Sequence, residues 1–237
     1  MPKKTILTIM KILLGFGDSW AYGSGLDDPS TESYIALLAK KLNIPSHNRA
    51  VPATGVPHLI AQLRKFVAGN LYSPQNQYQS VFFISAVERD IMFDDLGQIR
   101  EMHPQNPEFA NYYKKIYTQD LAIFKLNSNL LALQQLCQYY NINDRYVLGW
   151  QTPELWPEIN LDKFYRRGTI SICDVFLQHD PEAKQLGRND LDYLKFWKPN
   201  PYMFPTDGKW QGQPGGGHPN QSGHEKIAQE LFDWITG

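Results

Sequence analysis

The sequence predicts an α/β fold: a three-layer α/β/α sandwich built on a mainly parallel sheet. Short apolar runs typical of buried strands alternate along the chain with segments of helical periodicity. The 237 residues suit one domain with its own core, and no internal repeat divides them. We therefore expect a single domain over residues 1–237, with helices on both faces of the sheet. In such sheets the chemistry lies at the carboxyl ends of the strands.

The predicted strands are short apolar runs that end at turn residues. We predict strands over residues 11–17, 44–51, 80–86 and 145–150, and an edge strand over 169–177. The run at 80–86, SVFFISA, has the β-branched and aromatic content of a buried strand.

The predicted helices carry apolar residues three or four positions apart. We predict helices over 31–42, 56–67, most of 111–140, 182–196, and from Ser222 to the end. Ser222 and Glu225 have the spacing of a capping box. The segment around 90–110 is polar and contains two prolines, so we expect a loop or lid insertion there, and a further loop over 198–219.

Composition excludes several classes of function. The formal net charge of -1 gives no electrostatic basis for binding nucleic acid or an anionic membrane. Cys137 and Cys173 are too few for a disulfide framework and indicate free thiols in a reducing compartment. The first 14 residues mimic a signal peptide, but Lys11 interrupts the apolar run. We expect a cytoplasmic protein without a membrane span, cofactor or metal.

Two motifs carry the expected chemistry. Ser19 follows Gly17 and Asp18 at the end of the first predicted strand, where a serine faces the active-site crevice. His218 precedes a proline on a loop just before the last predicted helix. A histidine there can reach the serine, take its proton and return it to a leaving group. An ordinary turn and a surface histidine are the alternatives for each motif alone, and the pair in this order favours catalysis.

These blocks resemble those of the GDSL/SGNH hydrolases. In that family a Gly-Asp-Ser block near the N-terminus holds the nucleophile, here Ser19, and a His-Pro block before the last helix holds the base, here His218. A third block resembles residues 48–54, where Ala53 takes the place of a glycine whose backbone N–H supports the oxyanion. The resemblance implies a flavodoxin-like SGNH fold, a small-molecule or carbohydrate ester as substrate, and an oxyanion hole that includes the N–H of Ser19.

The sequence departs from the family pattern at two places. The third-strand block lacks the usual asparagine, and we expect Ser85 or Arg89 to replace it in the oxyanion hole. An ion pair of Arg89 with Glu88, Asp90 or Asp94 is the alternative. The family's Asp-x-x-His acid is absent because Gly215 stands in its place. We therefore expect a Ser-His dyad in which a backbone carbonyl or a water orients His218, and Asp207 is the nearest upstream carboxylate.

Three functions remain open at this point. The leading hypothesis is a serine ester hydrolase. The second is a binding or structural protein that keeps the scaffold without efficient catalysis, as the missing asparagine and aspartate suggest. A nucleotide-binding flavodoxin-like protein is disfavoured because the first strand–helix loop lacks a phosphate-binding glycine pattern and a lysine. Five aromatic side chains on predicted strand ends or loops fit either a sugar-binding wall or ordinary packing. They are Trp20, Tyr22, Trp150, Trp156 and Trp210.

Overall fold

The computed structural model shows a parallel sheet between two layers of helices, as the sequence predicts. It describes residues 9–94, 96, 98–102, 104, 106–150, 152–177, 201–203, 209–210, 213–214 and 217–237. The main sheet has four parallel strands in the order β2-β1-β3-β6. Their bounds are β1 Lys11–Phe16, β2 Ser46–Asn48, β3 Gln77–Ile84 and β6 Ile142–Leu148.

Alternate residues of the strands face opposite helical layers. On one face, strand residues such as Leu13 and Phe83 pack against three helices. Gly15 makes room for the nearest of them, because a Cβ there would lie 2.6 Å from Ile35. These three helices are α3 Tyr34–Leu42, α7 Ile172–Leu177 and α8 Gln221–Thr236.

The other face of the sheet carries a second hydrophobic core. Leu14, Phe16 and Phe82 point into it, and two amphipathic helices cover them. The helices are α4 Val56–Val67 and α6 Gln119–Tyr139. The apolar stripe predicted from Val56 to Val67 lies on α4. Cys137 is buried here and Cys173 on the opposite face, and both are free thiols, as expected.

Short helices complete the layers. The helix predicted over 31–42 is divided at Ser33, whose side chain caps α3 and which ends the preceding short helix. The stretch predicted over 111–140 is likewise two helices, α6 and a shorter one before it. The short helices are α1 Ser19–Tyr22, α2 Pro29–Glu32 and α5 Ala110–Lys115.

The segment expected to be a loop around 90–110 contains regular structure. Strands β4 Asp90–Phe93 and β5 Ile99–Met102 pair antiparallel as a hairpin, and a 3-10 turn Pro107–Phe109 follows. The expectation of a loop over this segment was wrong. Each strand of the hairpin has only four residues, too few for a periodic pattern to reveal it in the sequence. The hairpin forms a sheet of its own, separate from the four-stranded main sheet.

The edge strand predicted over 169–177 is a helix. Ser171 and Asp174 form a capping box: the Asp174 carboxylate accepts from the Ser171 backbone N–H at 2.8 Å, and the Ser171 hydroxyl accepts from the Asp174 N–H at 3.2 Å. A short apolar run fits a buried strand or helix equally well, and the capping pair decides for the helix.

The last helix begins one residue earlier than predicted. Its cap is Asn220, whose side chain accepts from the Gly223 N–H at 3.0 Å, in place of the predicted Ser222. Within the expected loop over 198–219, β7 Lys209–Trp210 and β8 Gln213–Pro214 form a two-stranded sheet. The helix predicted over 182–196 lies outside the described residues.

Candidate active site

Ser19 lies where the chain leaves the carboxyl end of β1. It is the first residue of α1 and is 8% exposed. Gly17 makes the turn between strand and helix with a φ of 152°, and a Cβ there would lie 2.8 Å from the Cβ atoms of Ala21 and Phe83. Only glycine fits this turn. The local sequence thus places a serine hydroxyl at the edge of the sheet where ligands bind in open α/β folds.

Asp18 organises the turn. Its carboxylate is 1% exposed and accepts hydrogen bonds from the Trp20 backbone N–H at 2.9 Å, the Ser85 hydroxyl at 2.8 Å and Arg89 Nη1 at 3.0 Å. These donors compensate the cost of burying a carboxylate. The ion-pair partner of Arg89 is therefore Asp18. The sequence had suggested Glu88, Asp90 or Asp94 instead.

Ser85 and Arg89, the residues expected to replace the asparagine, both contact Asp18. The single hydroxyl proton of Ser85 is directed to this carboxylate. Arg89 directs Nη1 to Asp18 and to the Thr54 carbonyl at 3.4 Å. A guanidinium has five N–H donors, so Arg89 retains donors for a ligand.

Ala53 lies on the loop between β2 and α4, beside the same turn. Two hydrogen bonds join this loop to the serine turn: the Val51 N–H and the Thr54 hydroxyl donate to the Gly17 carbonyl at 3.0 and 3.2 Å. Ala53 itself has a φ of 65°, in the left-handed region that glycine adopts most easily. The glycine-like backbone conformation is thus present in a residue that carries a Cβ.

Gln62 of α4 is a further contact that the sequence did not reveal. Its amide is 5% exposed, accepts from the Gly17 N–H at 3.2 Å and donates to the Gly17 carbonyl at 3.1 Å. Gln62 therefore satisfies both backbone groups of the turn. The only signal in the sequence is a polar residue on the apolar face of an amphipathic helix.

His218 lies on the loop that leads into α8, and this loop meets the serine turn. Trp20, the residue after Ser19, donates its indole N–H to the carbonyl of Gly217, the residue before His218, at 2.7 Å. The nucleophile block and the histidine block are therefore in direct contact although 197 positions separate the bonded residues. The sequence predicts this meeting, but not the indole that makes it.

The surroundings of His218 favour a neutral imidazole. Burial lowers its pKa below the usual range, the Asp18 carboxylate opposes this shift, and the Arg89 guanidinium adds to it. An imidazole that is unprotonated at neutral pH can accept a proton from a hydroxyl. Gly215 and Asp207, on which the predicted dyad depends, lie outside the described residues.

His224 has a different environment. It is fully buried, and its Nδ1 accepts a hydrogen bond from the Tyr34 N–H at 3.1 Å, which joins α8 to the start of α3. Burial, with a smaller contribution from nearby His218, lowers its pKa to about 3. His224 therefore packs and caps, as expected from its place in the first turn of the last helix.

The comparisons with known proteins add structural neighbours. No family model matches, and no curated protein matches. A G-D-S-L lipolytic protein from Veillonella parvula has a TM-score of 0.47 at 12% identity, covering 94% of this chain and 97% of its own. Esterase EstA from Pseudoalteromonas sp. has a TM-score of 0.43 at 15% identity, covering 94% and 96%.

An acetyl xylan esterase, Est2A, from Butyrivibrio proteoclasticus has a TM-score of 0.48 at 14% identity, covering 97% of this chain and 64% of its own. The structural neighbours are G-D-S-L lipolytic proteins and esterases.

Two further observations bear on the site. Across the part of the chain that the structure describes, no three His, Cys, Asp or Glu side chains gather as metal ligands would. Of the helices described, none is long and apolar enough to cross a bilayer.

Proposed function

We propose that this protein is a serine ester hydrolase. The observation that carries the proposal is the contact between the serine turn and the histidine loop through Trp20 and Gly217. It supports a nucleophile and a base at the same edge of the parallel sheet. The substrate class we propose is a small-molecule or carbohydrate ester, and the reaction needs no cofactor.

The proposed reaction is acyl transfer in two steps. Ser19 Oγ attacks the ester carbonyl while His218 takes the hydroxyl proton. The tetrahedral intermediate collapses, the alcohol leaves with the proton from His218, and the acyl group remains on Ser19. Water, deprotonated by His218, then attacks this acyl ester and releases the acid, which restores the serine.

The N–H groups of Ser19 and Ala53 are the proposed oxyanion donors. We assign Arg89 to the same charge, through the donors that its contacts with Asp18 and Thr54 leave. Ser85 was the other candidate, but its proton is directed to Asp18. We therefore assign Ser85 to holding Asp18 in place.

Hydrolysis of p-nitrophenyl acetate tests the proposal. Ser19→Ala should remove the activity, and His218→Ala should remove nearly as much because nucleophile and base act as a unit. Ser30→Ala, which removes a serine hydroxyl on the exposed α2, serves as the control and should keep full activity. A fluorophosphonate probe should label the wild type and fail to label Ser19→Ala.

The pH profile gives a second arm of the same test. Because the pKa of His218 is lowered, kcat/KM should rise with pH at values below 6.5 and be level at pH 7. A wild-type protein no faster than Ser19→Ala on esters of varied acyl length would contradict the hydrolase and favour a binding protein on this scaffold.

A further inference from the structure

His218 lies between two backbone anchors. On its carboxyl side, Asn220 donates its side-chain amide to the carbonyls of Pro201 at 2.9 Å and Met203 at 3.2 Å. The Asn220 backbone N–H also donates to the Tyr202 carbonyl at 2.9 Å. These bonds fix the start of α8.

On its amino side, the described anchor is the indole of Trp20. The bond to the Gly217 carbonyl is short, at 2.7 Å, and buried. Gly217 has a φ of 92°, so the chain turns sharply immediately before the histidine. A turn made by glycine has little stiffness of its own, and an external hydrogen bond sets its direction.

Trp20 is well suited to hold a loop because its ring is buried and closely packed. It is 1% exposed and packs among aromatic rings whose centroids lie 4.7 Å away for Trp150, 5.7 Å for Phe83 and 6.0 Å for Phe176. Its backbone N–H is fixed by Asp18 at 2.9 Å. The indole N–H thus keeps a constant position relative to Ser19, its neighbour in the chain.

We propose that Trp20 is a positioning residue for catalysis, which orients His218 toward Ser19 by holding the Gly217 carbonyl. This inference rests on the proposed hydrolase function. In this role the histidine base is held through the backbone of its own loop. The sequence has Gly215 at the position where the resemblance would place an orienting aspartate. The same contact couples the two halves of the site, since the serine turn itself carries the indole.

Trp20→Phe tests the proposal because it keeps an aromatic ring and removes the N–H. We expect kcat to fall about 10- to 100-fold, because a base displaced by about 1 Å loses rate on this scale. KM should change less than about twofold. Trp234→Phe is the matched control: its ring packs on Tyr165 near the far end of α8, about 21 Å of helix from Asn220. It should keep wild-type kcat.

A readout independent of activity is the pKa of His218, followed by NMR titration of its ring protons. In Trp20→Phe the loop should open to solvent, so the pKa should rise toward 6.5 as the burial that lowers it is relieved. Trp234→Phe should leave the pKa unchanged. Gly217→Ala disturbs the same bond from the loop side, through its unfavourable φ, and should shift kcat and this pKa in the same directions.

The outcomes separate this proposal from the hydrolase itself. If Trp20→Phe and Gly217→Ala keep the wild-type kcat and His218 pKa while Ser19→Ala is inactive, Trp20 only packs and the positioning role is wrong. If the wild type hydrolyses no ester, the hydrolase fails. The titration still decides whether the indole fixes the histidine loop. If Trp20→Phe does not fold, Gly217→Ala supplies both readouts.

Discussion

At the scale of single residues, Asp18 explains the presence of Ser85 and Arg89 just after β3. Both side chains donate to the Asp18 carboxylate, which also caps α1. An asparagine at this place would offer a neutral amide to a buried charge. The serine and arginine instead satisfy and neutralise it, and Arg89 extends positive charge to the serine turn. The departure from the family pattern is thus a consistent local solution.

The backbone conformation of Ala53 predicts a gain in stability when glycine replaces it. A residue with a Cβ at a φ of 65° is strained relative to glycine, so Ala53→Gly should raise the free energy of unfolding by roughly 0.5–1 kcal/mol. The N–H should keep its direction, so kcat should change less than about twofold. Urea denaturation measures the first effect and ester hydrolysis the second.

The matched control for Ala53→Gly is Ala68→Gly at the end of α4. Ala68 has a φ of -81°, an ordinary right-handed conformation. Glycine there only adds freedom to the unfolded chain and should lower stability by roughly 0.5–1 kcal/mol. Opposite signs for the two substitutions support strain at Ala53. Equal destabilisation would refute it.

At the scale of elements, a carboxylate of the hairpin β4–β5 contacts the start of α4, which follows the Ala53 loop, residues 49–55 between β2 and α4. Glu101 of β5 contacts His58 and accepts from the Gly55 N–H at 3.3 Å. Gly55 is the cap residue of α4 and has no side chain to satisfy the first N–H groups of that helix. The hairpin therefore holds the cap residue of α4 from outside, two residues from Ala53.

Glu101→Gln tests this attachment. The amide keeps the shape of the side chain but loses the charge that binds His58 and the helix start, so stability should fall by about 1 kcal/mol. Because the loop loosens beside Ala53, kcat should also fall, by about threefold to tenfold. Thermal unfolding and ester hydrolysis are the measurements.

The control lies in the same segment. Glu108→Gln breaks an exposed ion pair in which Arg100 Nη2 lies 2.7 Å from Glu108 Oε2. Such a pair contributes less than about 1 kcal/mol, and neither of its residues bonds to the loop that carries Ala53. Glu108→Gln should leave kcat unchanged, and an equal loss of kcat in both variants would contradict a specific role for Glu101.

At the scale of the whole molecule, His224 makes stability depend on pH. Its pKa is about 3 when folded and 6.5 when unfolded, so the unfolded chain binds the proton first. Stability should therefore fall as pH drops below 6.5, with a slope approaching 1.4 kcal/mol per pH unit, until pH nears 3. His47 and His218, whose pKa values burial also lowers, add slope of the same sign.

Urea unfolding at pH 7, 6, 5 and 4 measures this slope. His224→Gln keeps an acceptor for the Tyr34 N–H but does not titrate, so its curve should be flatter than that of the wild type. His47→Gln, which removes a partly exposed histidine with a smaller shift, should flatten it less. A wild-type slope that His224→Gln leaves unchanged would show that this histidine is not the source.

The fold could be predicted where one physical signal dominated. The apolar stripe from Val56 to Val67 predicted a helix there, and the apolar run of β1, which ends at a glycine, predicted that Ser19 follows the strand. The helix at Ile172–Leu177 was missed because its apolar run has no period, although Ser171 and Asp174 contain the capping signal. The hairpin was missed because its pairing depends on partners that only the folded chain brings together.

In the candidate site too, local motifs were predictable from the sequence and long-range contacts were not. Ser19 and His218 belong to short local motifs that the sequence displays directly. The contacts of Asp18, Gln62 and Trp20 join segments far apart in the chain, and nothing local specifies which partner each polar group finds. A buried hydrogen-bond donor needs an acceptor, but the sequence does not say which one.

The packing of α8 against α3 has a consequence for the folding kinetics. His218 reaches the serine turn only when α8, at the other end of the sequence, docks on a core that includes Leu38 and Leu231. Contacts of such large sequence separation close late because the chain loses much entropy in forming them. During refolding, secondary structure and much of the sheet can therefore return before any turnover does. The return of the proposed ester hydrolysis should therefore report the docking of α8, and slow docking would delay activity without changing the final fold.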